Sequence, residues 1–385
     1  APSFPMPCHI SGRVSSWMPG ARGRFAVCHL LATLSHACAY VPVVSLPRTT
    51  PLAPSRRPSQ LALSEVTMEE PLPAAPVAAP ELRLIATVGS KGSGLDQFEG
   101  PRHIAALPDG GVCVVDGLNQ RVVLLDVEGC CTDSLEGLAA PTGVAVAGDL
   151  LYVAESTGAH RVSCRRLSDG KLLGEVGGLG SGDGELHGPQ CVVLSGELLL
   201  AAEWGNSRVS VFERESLRFL RHIGATFDED GDPVGGSAPG EMDEPCDLAV
   251  HEDEVFVADT WNHRINVYGL EDGAFRRTFG RRGDAAGEFT YPTGIAVADG
   301  RVYTTERMGG EANRRVQVLS LDGAPLQELL PARYGRRVAR RGGQLHGICV
   351  DASGERVWVS DSGMHMVHLL TTAPGAYSPA VLPVG

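Results

Sequence analysis

Residues 245–289 read PCDLAVHEDEVFVADTWNHRINVYGLEDGAFRRTFGRRGDAAGEF and contain one complete structural unit. Leu248–Val250 and Val255–Ala258 are short apolar runs, which are typical of strands buried on both faces. Ile265–Tyr268 alternates as a third strand would, and Ala274–Phe279 is a fourth, more polar strand. Four short antiparallel strands in this order, repeated around an axis, form the blades of a β-propeller.

The same unit recurs along the chain. Its copies open at Pro101, Pro141, Pro189, Pro245, Pro292 and Leu345. The openings are 40 to 56 residues apart, and the differences fall in loops, as expected for a repeat architecture. The pattern therefore predicts an all-β fold, a six-bladed β-propeller of four-stranded antiparallel blades over residues 82–371.

Polar residues recur at the turn between the second and third strands. A carboxylate ends the second strand in every copy, as Asp116, Glu155, Glu203, Asp259, Glu306 and Asp361. An Arg opens the third strand in five copies, as Arg121, Arg161, Arg208, Arg264 and Arg315. The sixth copy has Met366 instead. Catalysis needs one asymmetric site, so we interpret this repeated pair as a structural element of the turn.

These motifs resemble NHL repeats, a family named for Asn-His-Leu. The resemblance rests on PTGIAV (292–297), FVADTWNHRINVY (256–268) and the Gly-rich loop ending in GEF, and WNHRI (261–265) is its best local match. It covers residues 82–371 and implies a six-bladed NHL propeller that acts as a protein-binding or scaffold module. The chain departs from the pattern where His103, Cys191 and Asp247 replace a Gly, and where the sixth copy lacks Pro, Asn and Arg.

Two Trp residues, and the Asn that follows each of them in its turn, are candidates for partner binding. Trp204 and Trp261 lie in equivalent turns of the third and fourth copies, next to Asn206 and Asn262. Trp is enriched among the residues that dominate binding energy at interfaces. We expect the two rings on one face of the propeller, either as an anchor for a protein partner or as packing against the neighbouring blade.

The residues after each opening position are expected at the mouth of the central channel. Those with useful chemistry are Arg102, His103, Gln190, Asp247 and His346. Resemblance to amidating lyases would require several His here, and resemblance to gluconolactonase-type hydrolases a Glu/Asn/Asp set around one metal. A zinc site takes three or four N, O or S ligands. The sequence predicts a protein without a cofactor. The alternative is a metal-dependent hydrolase or lyase that holds zinc or calcium at this mouth.

The charge distribution bears on the class of partner. Residues 1–64 contain six Arg and no acidic residue, which leaves 27 basic and 46 acidic residues, a net charge of −19, in the rest of the chain. Binding to nucleic acid depends on Lys and Arg that neutralise phosphates. The acidic body therefore argues against nucleic acid and favours a protein partner.

The N-terminal region has the features of a targeting leader, which we expect to be disordered. Residues 18–39 resemble a signal peptide, with Arg22 and Arg24 before an apolar run and Ala37-Cys38-Ala39 as a cleavage site. Residues 40–64 resemble a transit peptide, and residues 65–81 form a Pro-rich linker. The leader predicts entry into the secretory pathway or a complex plastid and then cleavage. The mature chain contains no segment apolar enough to span a bilayer.

The sixth copy contains only three clear strands, so a segment from one end of the chain must supply the fourth. Leu82–Val88 matches the end of a repeat, so this strand is expected to complete the sixth blade. Residues 372–385 form a C-terminal tail, and Tyr377–Leu382 is the competing candidate. Pro379 weakens that candidate, because Pro in sheets is confined to edges, but the outermost strand is itself an edge.

Overall fold

The computed structural model describes residues 81–307, 314–329 and 344–373, which form six four-stranded antiparallel sheets in a ring. The predicted fold class is confirmed. Apart from one 3-10 turn at Gly117–Asn119, this part of the chain contains no helix, and it contains no helix that meets the length and hydropathy needed to cross a membrane. The predicted leader, and most of the predicted linker and tail, lie outside the described residues.

The strands follow the order expected for a propeller, from the first strand of each blade at the channel to the fourth at the rim. Blade one contains β2 (Pro101–Ala106), β3 (Val112–Asp116), β4 (Arg121–Leu125) and β5 (Cys131–Leu135). Blade two contains β6 (Pro141–Ala147), β7 (Leu150–Glu155), β8 (Arg161–Arg166) and β9 (Leu172–Gly177). Blade three contains β10 (Pro189–Ser195), β11 (Leu198–Glu203), β12 (Arg208–Glu213) and β13 (Phe219–Ile223).

The second half of the ring repeats this arrangement. Blade four contains β14 (Asp247–His251), β15 (Glu254–Asp259), β16 (Arg264–Gly269) and β17 (Phe275–Phe279). Blade five contains β18 (Pro292–Ala298), β19 (Arg301–Glu306), β20 (Val316–Ser320) and β21 (Pro325–Leu329). Blade six contains β22 (Leu345–Val350), β23 (Arg356–Asp361), β24 (Met366–Thr371) and the N-terminal strand β1 (Arg83–Val88).

The hydrophobic core lies between the blades. Each of six apolar clusters joins one blade to the next, because the middle strands of a blade are apolar on both faces. Between blades six and one, Trp358 and Val367 pack against Phe98 and Ile104, and all four are completely buried. The ring is therefore closed by the same kind of contact that joins its other blades.

Strand β1 closes the ring through hydrogen bonds as well. It pairs antiparallel with β24, from Arg83 opposite Thr371 to Val88 opposite Val367. Leu82, just before β1, is 1 % exposed and packs in the cluster between blades five and six. This is the closure expected for Leu82–Val88, and the competing segment Tyr377–Leu382 lies outside the described residues.

A polar tie also links neighbouring blades. In four blades the residue before the third strand, His160, Ser207, His263 or His365, has a positive φ and accepts a hydrogen bond from the blade that follows. His263 of the WNHRI motif accepts the amide hydrogen of Tyr291 at Nδ1, at 3.1 Å. The His of the motif therefore holds the start of the next blade.

In four of the five blades that have it, the repeated carboxylate–Arg pair is a buried clamp; in blade two, Arg161 is 29 % exposed and binds Glu155 and Glu175. In blade three, Nε of Arg208 donates to Glu203, and the two other guanidinium nitrogens donate to the carbonyls of Ser181, Gly182 and Glu185 in the preceding Gly-rich loop. Arg121, Arg264 and Arg315 bind their own loops in the same way. In blade six, Met366 stands at the position of the Arg, and Nε2 of His368 lies 3.5 Å from Oδ2 of Asp361. The pair is thus structural.

Candidate functional site

The first strands of the blades surround a channel with a cavity in each half. The mouth cavity, of about 470 Å³, lies at the starts of these strands, and the residues used below are Arg102, Thr142, Gln190, Trp204, Cys246 and Arg307. The second cavity, of about 370 Å³, continues along the same strands and is lined by Ala106, Val146, Leu194, Val250, Val297 and Val350. His103 also lines this apolar cavity.

The three residues that replace Gly in the repeat meet in the channel. We call His103, Cys191 and Asp247 the axial cluster; their N, S and O atoms all lie within 4.8 Å of one another. Nε2 of His103 is 3.3 Å from Oδ1 of Asp247 and 3.5 Å from Sγ of Cys191. Burial and the neighbouring carboxylate of Asp247 raise the pKa of the Cys191 thiol well above its usual value.

Whether a blade can have a side chain at this Gly position depends on how closely the backbone of the neighbouring blade approaches. A Cβ on Gly143 would lie 2.6 Å from Cα of Cys191, and a Cβ on Gly347 would lie 2.7 Å from Cα of His103. These backbones approach too closely for any side chain, so Gly is required there. The blades that carry the axial cluster leave their side chains free to extend into the channel.

The axial cluster does not have the geometry of a nucleophilic triad. In such a triad the carboxylate binds one ring nitrogen of His and the nucleophile binds the other. Here both Cys191 and Asp247 contact Nε2, whereas Nδ1 accepts the amide hydrogen of Val144 at 3.3 Å. The cluster converges on one point, and this favours a shared ligand over proton relay.

The mouth of the channel is cationic. Burial and the charge of Arg307 lower the pKa of the Arg102 guanidinium. Burial, followed by the charges of Arg307, Arg102 and His103, lowers the pKa of His346 well below its usual value. The amide nitrogen of Gln190 donates to Oγ of Ser156 at 3.2 Å. Of the predicted mouth residues, Arg102 and Gln190 line the mouth cavity and His103 lines the second cavity. Asp247 contacts His103, and His346 is within range of the charges of Arg102 and His103.

The two Trp residues are exposed on the face of the channel mouth. Trp204 is 43 % exposed, lines the mouth cavity, and donates from its ring nitrogen to Glu244 at 2.6 Å. Trp261 is 49 % exposed, and its ring makes an edge contact with Tyr291 of the next blade at 5.5 Å. Both rings keep about half of their surface available to a partner.

The two predicted Asn residues are used within the fold. The Asn206 amide donates to Glu203 and to the carbonyl of Gly180. The Asn262 amide makes the equivalent bonds to Asp259 and to the carbonyl of Gly236. Their amide nitrogens extend the clamp, so we leave them out of the binding surface proposed below.

Sequence reasoning did not identify the roles of Cys191 and Arg307. A Cys in an apolar strand is typical of a small buried hydrophobic residue, although the replacement of Gly that Cys191 shares with His103 and Asp247 is a usable signal. Arg307 directly follows Glu306, the carboxylate that ends the second strand of blade five, and nothing in the repeat pattern marks Arg307. Its place in the mouth cavity appears only in the structure.

Comparison with known proteins leaves the family of this chain open. No protein-family model matches the chain. The chain is 28% identical over 139 residues to Protein brain tumor of Drosophila melanogaster, a match that covers 34% of this chain and 12% of that protein. Kuenenia stuttgartiensis hydrazine synthase is a structural match with a TM-score of 0.49 and 15% identity, over 71% of this chain and 77% of that one. The chain is a six-bladed propeller, an architecture suited to a scaffold or binding module.

Proposed function

We propose that this protein is an NHL-type propeller that binds a protein partner on the face of its channel mouth. The observation that carries the proposal is the mouth cavity itself. Arg102, Arg307 and the exposed Trp204 line it together. A cationic pocket next to an exposed aromatic ring suits a peptide segment that has acidic and apolar residues side by side.

The charge of the pocket indicates an anionic ligand. Arg102 is half-buried next to a like charge, Arg307, and both factors lower the pKa of its guanidinium. Within the described ranges no carboxylate forms an ion pair with Arg102. A carboxylate from a partner would relieve the repulsion and could bind the guanidinium through two parallel hydrogen bonds.

The apolar part of the surface surrounds the pocket. Leu118, in the turn of blade one equivalent to that of Trp204, also lines the mouth cavity and is 64 % exposed. Trp261 extends the surface to blade four. Aromatic anchors near the centre of an interface contribute most of its binding energy, so we assign this role to Trp204 and Trp261.

Nucleic acid suits this surface less well, although phosphate is also anionic. Binding to a nucleic acid backbone needs a stripe of Lys and Arg along the strand. The lining of the mouth cavity contains two Arg and no Lys, which suits a single carboxylate better than a run of phosphates.

A binding assay with defined probes tests the proposal. The first probe is a labelled peptide of alternating Glu and Leu, and the second is its Gln–Leu counterpart. Trp204→Ala is expected to weaken binding of the acidic peptide ~30-fold, which corresponds to a loss of ~2 kcal/mol for an aromatic anchor. Arg102→Gln is expected to remove the preference for Glu over Gln. Arg218→Gln, at an exposed Arg on another part of the surface, is the matched control and should bind as the wild type does.

Two results would contradict the proposal. One is equal affinity for the Glu and Gln peptides in the wild-type protein, which would exclude a role for the cationic pocket. The other is tighter binding of a single-stranded RNA oligonucleotide at physiological salt, lost in Arg102→Gln, which would assign the mouth to nucleic acid.

A metal-dependent hydrolase or lyase with His103 and His346 as ligands of one ion is the alternative function. In the structure, Nε2 of His103 is directed at Asp247 and Cys191. His346 lies within range of the charges of Arg102 and Arg307, which disfavour a cation there. We therefore rank protein binding above a hydrolase or lyase built on a His103–His346 pair.

A further inference from the structure

We infer that the axial cluster, His103, Cys191 and Asp247, is a zinc-binding site in the central channel. This inference is independent of the proposed function, because it uses none of the residues assigned to partner binding. The three ligands come from the first strands of blades one, three and four, so a metal ion there would connect blades across the axis of the ring.

The distances between the donor atoms fit tetrahedral zinc. With Zn–N and Zn–O of ~2.0 Å and Zn–S of ~2.3 Å, tetrahedral angles give an N···O edge of ~3.3 Å and an N···S edge of ~3.5 Å. The observed separations from Nε2 of His103 are 3.3 Å to Oδ1 of Asp247 and 3.5 Å to Sγ of Cys191. The oxygen of Asp247 and the sulfur of Cys191 lie within 4.8 Å of each other, so small side-chain rotations bring all three atoms around one ion.

The composition of the axial cluster selects zinc over calcium. Zn²⁺ accepts nitrogen, sulfur and carboxylate ligands together, whereas Ca²⁺ takes six to eight oxygen ligands. Binding converts the Cys191 thiol to thiolate and releases its proton to solvent. The thiolate and the Asp247 carboxylate then neutralise Zn²⁺, and a neutral site suits side chains that are only 11 % exposed for His103 and 2 % for Asp247.

The surroundings of the axial cluster orient the carboxylate. Leu248 donates its amide hydrogen to Oδ1 of Asp247 at 2.8 Å, and Ile295 of blade five donates to Oδ2 at 2.9 Å. Oδ1 keeps a second lone pair for the metal. Partners of this kind hold a ligand in position and raise metal affinity. Three protein ligands leave one tetrahedral position, which water can occupy from the adjoining cavity.

The proton on His103 must move when zinc binds. Nδ1 accepts the amide hydrogen of Val144, so the neutral ring carries its own hydrogen on Nε2. Coordination through Nε2 transfers that hydrogen to Nδ1, and the Val144 amide gives up a contact that is long, at 3.3 Å. Nδ1 and the Val144 amide are then both donors, and water in the adjoining cavity, which His103 and Val144 both line, can accept the two hydrogens.

Zinc titration of the purified full chain, kept reduced, tests the inference. After treatment with a chelator and dialysis against Zn²⁺, the wild-type protein should retain about one zinc per chain. Cys191→Ala and Asp247→Asn should each weaken zinc affinity ~100-fold or more, because loss of a partner that only orients a ligand already costs 10–100-fold. Cys113→Ala is the matched control, since Cys113 is a buried free cysteine outside the axial cluster.

A second measurement needs no variant and so does not depend on variant folding. Co²⁺ added to the wild-type protein should give the intense absorption of a four-coordinate ion and a thiolate-to-cobalt charge-transfer band. Absence of that band, zinc content at trace level, or equal zinc retention by Cys191→Ala would each overturn the inference. The three side chains would then form only a hydrogen-bonded plug.

Discussion

The guanidinium of Arg208 donates its Nε hydrogen to Oε1 of Glu203 at 2.8 Å, and both side chains are completely buried. The same guanidinium binds three carbonyls of the loop that precedes blade three. One ion pair therefore joins a turn within the blade to the loop between blades. Buried charges of this kind are tolerated only when their hydrogen bonds are complete, and here the guanidinium nitrogens all have partners.

We expect loss of this Arg to be strongly destabilising. Arg208→Met leaves Glu203 buried without its cation, and this should lower the free energy of unfolding by ~3–5 kcal/mol. Arg218→Met is the control, because the pair of Arg218 with Glu213 is exposed and such pairs contribute ~0–1 kcal/mol. Urea unfolding of both variants measures the difference. Losses of similar size would show that the buried clamp adds nothing beyond a surface pair.

The closing strand should be essential to the ring. A chain that begins at Gly89 lacks β1 but keeps Phe98 and the loop that binds Arg121. Because β1 no longer covers the edge of β24, this chain is expected to aggregate. Leu82→Ala in the full chain should cost ~2–5 kcal/mol, as expected for a buried Leu. Leu172→Ala, at an exposed position of β9, is the control. Unchanged solubility and melting temperature of the shortened chain would mean that another segment closes the ring.

Acid should destabilise the protein partly through His222. Burial and the charge of Arg208 lower the pKa of His222 from 6.5 to about 4, and the exposed Asp183 opposes this shift. The ring also contacts Ser210 and Phe219. The unfolded chain therefore binds a proton that the folded chain does not, so the contribution of His222 to stability is complete above pH ~6.5 and falls as the pH approaches ~4.

Replacement of His222 tests this pH dependence. Between pH 6.5 and 4, His222→Asn should lose stability less steeply than the wild type, by up to ~1.4 kcal/mol per pH unit. Chemical unfolding at half-unit intervals of pH gives both curves. Parallel curves would show that His222 takes up its proton equally in the folded and unfolded states.

We propose that the N-terminal leader is removed in the cell. Residues 18–39 have the order of a signal peptide, with Arg22 and Arg24, an apolar run, and Ala37-Cys38-Ala39. Mass spectrometry of the native protein should find its N-terminus at or after Tyr40. Recovery of peptides from residues 24–39 in the mature protein would contradict cleavage at this position.

The amino-acid sequence was sufficient for the blades because their signals are local. The runs Leu248–Val250 and Ile265–Tyr268 lie within β14 (Asp247–His251) and β16 (Arg264–Gly269), so the strand bounds differ by one residue at each end. Each strand is specified by a few neighbouring residues, and within a blade it pairs with strands adjacent in the sequence, with the exception of β1, which pairs with β24. The clamp could be recognised for the same reason, since Glu203 and Arg208 are separated by one turn.

The channel, by contrast, is decided by tertiary structure. His103, Cys191 and Asp247 are separated by 88 and 56 residues along the chain, and no local pattern relates them. The sequence predicted His103, Asp247 and His346 at the same channel mouth without showing which of them are in contact. In the structure, Nε2 of His103 contacts Asp247 and Cys191. Which side chains meet on the axis depends on the closure of all six blades and on the spacing of their first strands. Sequence therefore determined the blades and the positions that break their pattern, and only the closed ring determined that three of those positions form one site.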